Sequence, residues 1–199
     1  GAPNTPCVAV GDLVAKGQII ANGDKFMNCP VHSSVSGKVK KIQNCLVTGN
    51  QEVPCIIIQA DEENRTEYME ALDPFTCDPA DALKRIKDAG IVGMGGASFP
   101  AHVKLNPPED KTIDYVLVNA AECEPYITSD HRICLEYPKQ IIKGIMLTCH
   151  YLNIPEAIIG IEDNKRDVAG VLQKEINKVQ GTLDYPAKGI SVVILPTLY

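Results

Sequence analysis

Residues 90–100 read Gly-Ile-Val-Gly-Met-Gly-Gly-Ala-Ser-Phe-Pro. Glycines at 90, 93, 95 and 96 strip side chains from the backbone, so peptide N–H groups can close on a flat ring or a phosphate. The spacing Gly93-x-Gly95-x-x-Ser98 comes near a dinucleotide fingerprint. That fingerprint follows a strand and opens a helix, whereas this stretch follows a helical pattern and carries serine in the third place. A helix starting near Pro100 would turn its positive end toward an anion. The second chemistry-bearing set is Asn119-Ala-Ala-Glu-Cys-Glu-Pro125, directly after the apolar run Tyr115-Val-Leu-Val118. In open parallel sheets ligands lie beyond the carboxyl ends of the strands, which is where this set falls. Glu122 and Glu124 can serve a ligand there, or sit in a solvated loop or at a helix N-terminus, where acids are favoured in any case.

The elements that must position these residues follow from periodicity. A new domain is expected near Pro79, opening with a helix (Ala82, Leu83, Ile86, Ala89) that Gly90 terminates. Strands at Ile113–Asn119, Ala157–Ile161 and Ile190–Leu195 then alternate with helices at Asp130–Tyr137, Pro138–Leu152 and Lys165–Val179. Such alternation implies βαβ crossovers and a parallel sheet covered on both faces, with the last helix as sheet cover. Asp130-His131-Arg132 is expected at a helix start with the arginine paired to a nearby acid. Residues 8–60 differ in kind: short β-type runs broken by glycine turns, the mark of a small all-β module. The fold class expected is α/β, a Rossmann-like parallel sheet domain preceded by a small all-β barrel-sandwich hybrid domain. The expected divisions are 1–62 for the hybrid, 63–78 for a charged, turn-rich linker and 79–199 for the α/β domain.

The totals exclude several classes. A formal net charge of −6 over 199 residues lacks the basic face a nucleic-acid binder needs. No run approaches the ~18 apolar residues needed to cross a bilayer, so no direct membrane span is expected. Eight cysteines are scattered without C-x-x-C spacing, which favours reduced, mostly buried thiols over a disulfide framework or a metal site. Histidines 32, 102, 131 and 150 likewise lack metal spacing, and no side chain is assigned as catalytic or as a metal ligand.

The stretches Val10-Gly-Asp-Leu-Val-Ala-Lys-Gly-Gln-Ile-Ile20 and Pro30-Val-His-Ser-Ser-Val-Ser-Gly-Lys-Val-Lys-Lys-Ile42 resemble the two halves of a biotinyl/lipoyl-type barrel-sandwich hybrid. Those modules carry a cofactor-bearing lysine on a hairpin tip. Here the corresponding position falls on Phe26, with Lys25 one residue off, so a structural or docking role is expected rather than a carrier role.

Gly93-Met-Gly-Gly-Ala-Ser-Phe-Pro-Ala-His-Val-Lys104 and Val116-Leu-Val-Asn-Ala-Ala-Glu-Cys-Glu-Pro-Tyr126 together resemble two signature stretches of the flavin-bearing, NADH-binding subunit of respiratory complex I. With the preceding barrel module, nearly the whole chain is similar to the RnfC family of the Rnf electron-transport complex. The resemblance assigns Gly93, Gly95 and Gly96 to a backbone cradle around FMN, Lys104 to the flavin or its phosphate, and Phe99 to the neighbourhood of the nicotinamide. Asn119 and Glu122 match flavin-contacting positions, Glu124 a nucleotide-contacting one, and Tyr199 the start of a third flavin-lining loop. Met94, Ser98 and Ala121 depart from the family pattern of arginine, glycine and an acid.

What the resemblance implies is an NADH-oxidising subunit. It takes hydride from NADH onto FMN and passes electrons to iron–sulfur clusters carried further along the full-length protein, within an ion-translocating NADH:ferredoxin oxidoreductase. Its partners would be the other subunits of that complex, with ferredoxin served indirectly, and its place the cytoplasmic face of the membrane. The chain as given is expected to be a fragment that is itself inactive and binds FMN weakly, because the loop expected after Tyr199 would complete the pocket. A flavin-dependent cobalamin reductase of the propanediol-utilisation type and a non-catalytic docking subunit are the alternatives.

Overall fold

A computed structural model describes residues 3–94, 97–122, 124–186 and 188–197. Two compact units divide the chain, one formed by residues 1–73 and 77–107, the other by 74–76 and 108–199. Compactness and sequence modules thus cut the chain at different places, since the helix from Pro79 and the glycine stretch belong to the same unit as the β module.

The first unit contains two three-stranded sheets. Strands β1 (Thr5–Pro6), β3 (Ile19–Asn22) and β4 (Val31–His32) form one in the order β1-β3-β4; β2 (Leu13–Val14), β5 (Gly37–Val47) and β6 (Gln51–Ala60) form the other as β2-β5-β6. Val14, Ile20 and Val39 make its buried core, with Val8, Ile42, Ile56 and Ile58 packed against them. Gly17 is required by both backbone and space. Its φ is +92°, and a Cβ there would lie 2.4 Å from the Glu67 carbonyl oxygen. Helix α1 (Pro79–Asp88) starts as expected: Pro79 takes the first position and the Asp78 carboxylate accepts the Ala80 N–H. Gly90 follows its end at φ +67°, the left-handed residue that commonly closes a helix. Helix α2 (Ala101–Lys104) is a single turn, so few peptide dipoles are aligned to favour an anion at its start.

The second unit is a parallel sheet of β7 (Val116–Asn119), β8 (Glu156–Glu162) and β9 (Gly189–Leu195) in the order β7-β8-β9. Helices α3 (Ser129–Glu136), α4 (Pro138–Leu152) and α5 (Arg166–Val179) connect the strands. Ala157, Ile159, Ile161 and Ile190 from the sheet pack with Ile142, Ile145, Met146 and Cys149 of α4 and Val168, Leu172 and Ile176 of α5. The expectation of helices on both faces is corrected here. Leu117 is 74% exposed, and Val193 and Leu195 on the same face are exposed as well. Two successive crossovers of one hand, stepping the same way across the sheet, set their helices on one face only. The thiol expectation also needs correction, because of the seven described cysteines, all free, only Cys134 and Cys149 are buried. No helix among the described residues is long and apolar enough to cross a membrane.

Leu172 is fully buried, so Leu172→Ala is expected to cost about 3 kcal/mol of unfolding free energy from lost transfer and a residual cavity. Denaturant titration checks this, and a loss under about 1 kcal/mol would mean that the α5 face collapses around the gap.

Candidate functional site

The carboxyl edge of the parallel sheet is tied together by side chains from its middle strand. β8 ends in Glu162 and continues into Asp163. The Glu122 N–H, in the loop leaving β7, donates to Glu162 Oε2 at 3.2 Å. In the loop leaving β9, the Thr197 hydroxyl and N–H donate to Asp163 Oδ1 at 2.6 and 3.2 Å. Adjacent acids at the end of β8 therefore fix both neighbouring strand exits.

Glu122 itself is nearly buried, at 6% exposure, and its carboxylate serves the fold. It accepts from the Ser129 hydroxyl (3.1 Å) and from the N–H groups of Asp130 (3.0 Å) and His131 (3.4 Å), the unpaired donors of the first turn of α3. Lys165 Nζ lies 3.3 Å from Glu122 Oε2 and 2.7 Å from Glu162 Oε2. Burial pushes the Glu122 carboxyl up, but the two backbone donors, Lys165 and Ser129 outweigh it and hold the group at about 2. For Lys165 burial pushes down, and the hydrogen bonds to Glu162 and Glu122 outweigh it, leaving the ammonium more firmly protonated than usual. His131 Nε2 pairs with Asp167 at 2.9 Å, while Arg132 pairs with Glu136, an acid one turn along its own helix, in line with the sequence expectation.

Asn119 ends β7 and is exposed; its Oδ1 accepts the Ala121 N–H at 3.1 Å, while its Nδ2 has no partner among the described residues. Glu124 is exposed. In the first unit, Gly93 donates its N–H to the Phe99 carbonyl at 2.8 Å, and Phe99 is 44% exposed. Ser98 adopts φ +46°, left-handed backbone that favours glycine, which is the residue the family pattern carries there. Lys104 is exposed and makes no ion pair among the described residues. Gly95, Gly96 and Tyr199 lie outside the described residues. Of the expected set, Gly93, Phe99 and Lys104 thus stand in one compact unit and Asn119, Glu122 and Glu124 in the other.

The family model of the Nuo51 FMN-binding domain matches residues 86–199, more than half of the chain. The chain belongs to that family. The RnfC barrel sandwich hybrid domain matches residues 1–63 in front of it. The chain is 39% identical over 203 residues to the RnfC-type component of the proton-translocating ferredoxin:NAD(+) oxidoreductase complex of Clostridium ljungdahlii, covering 100% of the chain and 42% of that protein. It is likewise 39% identical over 180 residues to the corresponding component of the Na(+)-translocating complex of Acetobacterium woodii, covering 88% of the chain and 40% of the relative. The chain therefore spans about two fifths of the length of these relatives. A NAD+-reducing [NiFe]-hydrogenase in the H2-reduced state shares the fold with a TM-score of 0.51 at 20% identity, over 62% of this chain and 22% of that one.

Sequence reasoning missed Glu162, Asp163 and Lys165. The rule that singled out Asn119–Glu124, polar residues just past a parallel strand, applies equally to Glu162-Asp163. Lys165 was hidden because a charged residue at a helix start reads as ordinary solvated surface.

Glu122 titrates at about 2 when folded against 4.5 unfolded; its contribution to stability is complete above the higher value and vanishes as pH falls through the lower one. Thermal melts from pH 7 to 2 are expected to show Glu122→Gln less stable than wild type at neutral pH, with the gap closing across that window. Lys165→Met leaves two carboxylates facing each other without a cation and is expected to cost about 3 kcal/mol in denaturant melts.

Proposed function

We propose that this chain is the FMN- and NADH-handling part of the RnfC-type component of an ion-translocating ferredoxin:NAD oxidoreductase. One observation carries the reading beyond family membership. Gly93 has no positive φ, and a Cβ there would meet nothing nearer than the Phe99 carbonyl at 3.6 Å, so the fold itself has no need of a glycine. A bare backbone that the chain does not require leaves room for something else. Asn119 Nδ2 and the Lys104 ammonium, neither satisfied within the described residues, fit the hydrogen-bonding edge and the phosphate of FMN. When bound, FMN accepts a hydride from NADH and releases electrons singly.

In this reading Gly93, Gly95 and Gly96 let the backbone lie flat against the ring, and Lys104 neutralises the phosphate. Asn119 hydrogen-bonds the ring edge, Tyr199 opens a further wall, Phe99 packs by the nicotinamide, and Glu124 meets the nucleotide. Glu122 contributes at one remove or directly, from the buried position that holds α3 and Lys165. No side chain has to act as nucleophile or acid in a hydride transfer; positioning is what the protein supplies. Electrons would leave toward iron–sulfur clusters of the full-length protein and ferredoxin indirectly, with the other subunits at the cytoplasmic face of the membrane as partners. A docking role without flavin is favoured by one observation, that Glu122 commits both carboxylate oxygens to the fold.

Flavin content of the full-length protein, purified without added cofactor, separates the two. Stoichiometric FMN and NADH–ferricyanide activity are expected, with Asn119→Ala weakening FMN binding about tenfold, the loss of a ring hydrogen bond of about 1.4 kcal/mol. A flavin-free protein that oxidises no NADH leaves the docking role in its place.

A further inference from the structure

The loop between β3 and β4, residues 23–30, occupies the place where biotinyl/lipoyl modules hold their cofactor-bearing lysine. It is not built to swing. Asn28, 1% exposed, closes the loop from inside: its Oδ1 accepts the Lys25 N–H at 2.8 Å, and its Nδ2 donates to the Pro3 carbonyl at 3.0 Å and to Asn4 Oδ1 at 2.7 Å. Asn4 Nδ2 in turn donates to the Cys29 carbonyl at 2.7 Å.

The same loop is fastened along the glycine segment of its own unit. A Cβ on Gly90 would lie 2.7 Å from the Pro30 carbonyl oxygen, and Cys29 Sγ is 4.0 Å from the Ile91 carbonyl. His102, buried at the start of α2, reaches the Phe26 carbonyl with Nε2 at 3.2 Å and Cys29 Sγ with Nδ1 at 3.8 Å. A carbonyl can only accept, so Nε2 carries the proton and Nδ1 presents its lone pair to the thiol. The loop thus runs beside residues 90–102, and the Phe26 backbone is held against His102, three residues past Phe99.

Phe26 is nevertheless 65% exposed. Its backbone is fixed at both ends of the loop tip while its ring is left in water. Met94 and Phe99, on the adjoining glycine segment, are exposed too. Scattered exposed apolar residues are ordinary, whereas several gathered along one rigid segment mark a place where something binds.

We infer that Phe26 is a ligand-contacting residue: the barrel module supplies one wall of the binding site, and the Phe26 ring packs on the heteroaromatic ring of the bound flavin or nicotinamide. This rests on the reading of residues 93–99 given above. Phe26 has lost the carrier chemistry of the hairpin and kept its position.

The test compares wild type, Phe26→Ala and Phe26→Tyr in the full-length protein. FMN affinity is read by flavin fluorescence quenching, and KM and kcat for NADH with ferricyanide. Because the ring is exposed, thermal stability is expected to stay at the wild-type value. Phe26→Ala is expected to weaken FMN binding, or to raise KM for NADH, about fivefold, the size of an aromatic stacking contact, with Phe26→Tyr restoring it. A change in FMN affinity assigns the contact to the flavin; a raised KM at unchanged FMN affinity assigns it to the nicotinamide. Wild-type protein that binds FMN and oxidises NADH, with both quantities within about twofold in Phe26→Ala, overturns this inference and leaves the flavin reading standing. Wild-type protein that binds no flavin overturns both.

Discussion

Lys165 stands between two carboxylates that are almost out of water, and the carboxyl edge of the sheet takes its form from that pairing. Glu122 and Glu162 could not both stay ionised side by side without a cation. With Lys165 3.3 and 2.7 Å away, Glu122 can offer its charge to the first turn of α3, whose N–H groups have no partner within the helix. Glu162 in turn receives the Glu122 backbone, and Asp163 holds the exit of β9. Charge, helix start and strand exits form one network, so a change at any member is felt at the others. A site that needs a ring held flat gains from such a base, because positioned groups act only when their supports do not move.

The one-sided sheet follows from order rather than composition. Strands in the sequence β7-β8-β9 advance in a single direction, and uniform crossover hand then places α3, α4 and α5 together. The core they enclose is dry and tightly filled by Ile159, Ile161, Leu172 and Ile176. The opposite face keeps Leu117, Val193 and Leu195 in contact with water, although their types are those of a sheet buried on both sides.

The β module shows how one architecture is put to another use. Its hairpin tip retains the location of a carrier site, but buried Asn28 and the carbonyl of Phe26 are committed to holding it still. A tethered arm needs a free tip; a wall needs a fixed one. Ser98, on the neighbouring segment, is constrained in the same way, a residue with a side chain kept at φ +46° where the surrounding turn leaves no other conformation.

Local rules read from the sequence were enough for element types and order. Asp78-Pro79 starts a helix, Gly90 ends it, and the apolar runs at 116–119, 157–161 and 190–195 become parallel strands, because capping, left-handed turns and periodicity act over a few residues. Family membership was also legible, in two motifs long enough to be specific. What no local rule could reach was which charges would meet. Glu122 and Glu162 are 40 positions apart in the sequence, far beyond the span of a turn or a helix pitch, and only the sheet's register brings them together with Lys165. Tertiary structure alone decided that Glu122 would be a buried cap, that one sheet face would stay bare, and that His102 would grip Phe26. Each of these depends on desolvation and on the packing of elements far apart along the chain, and both are properties of the assembled fold.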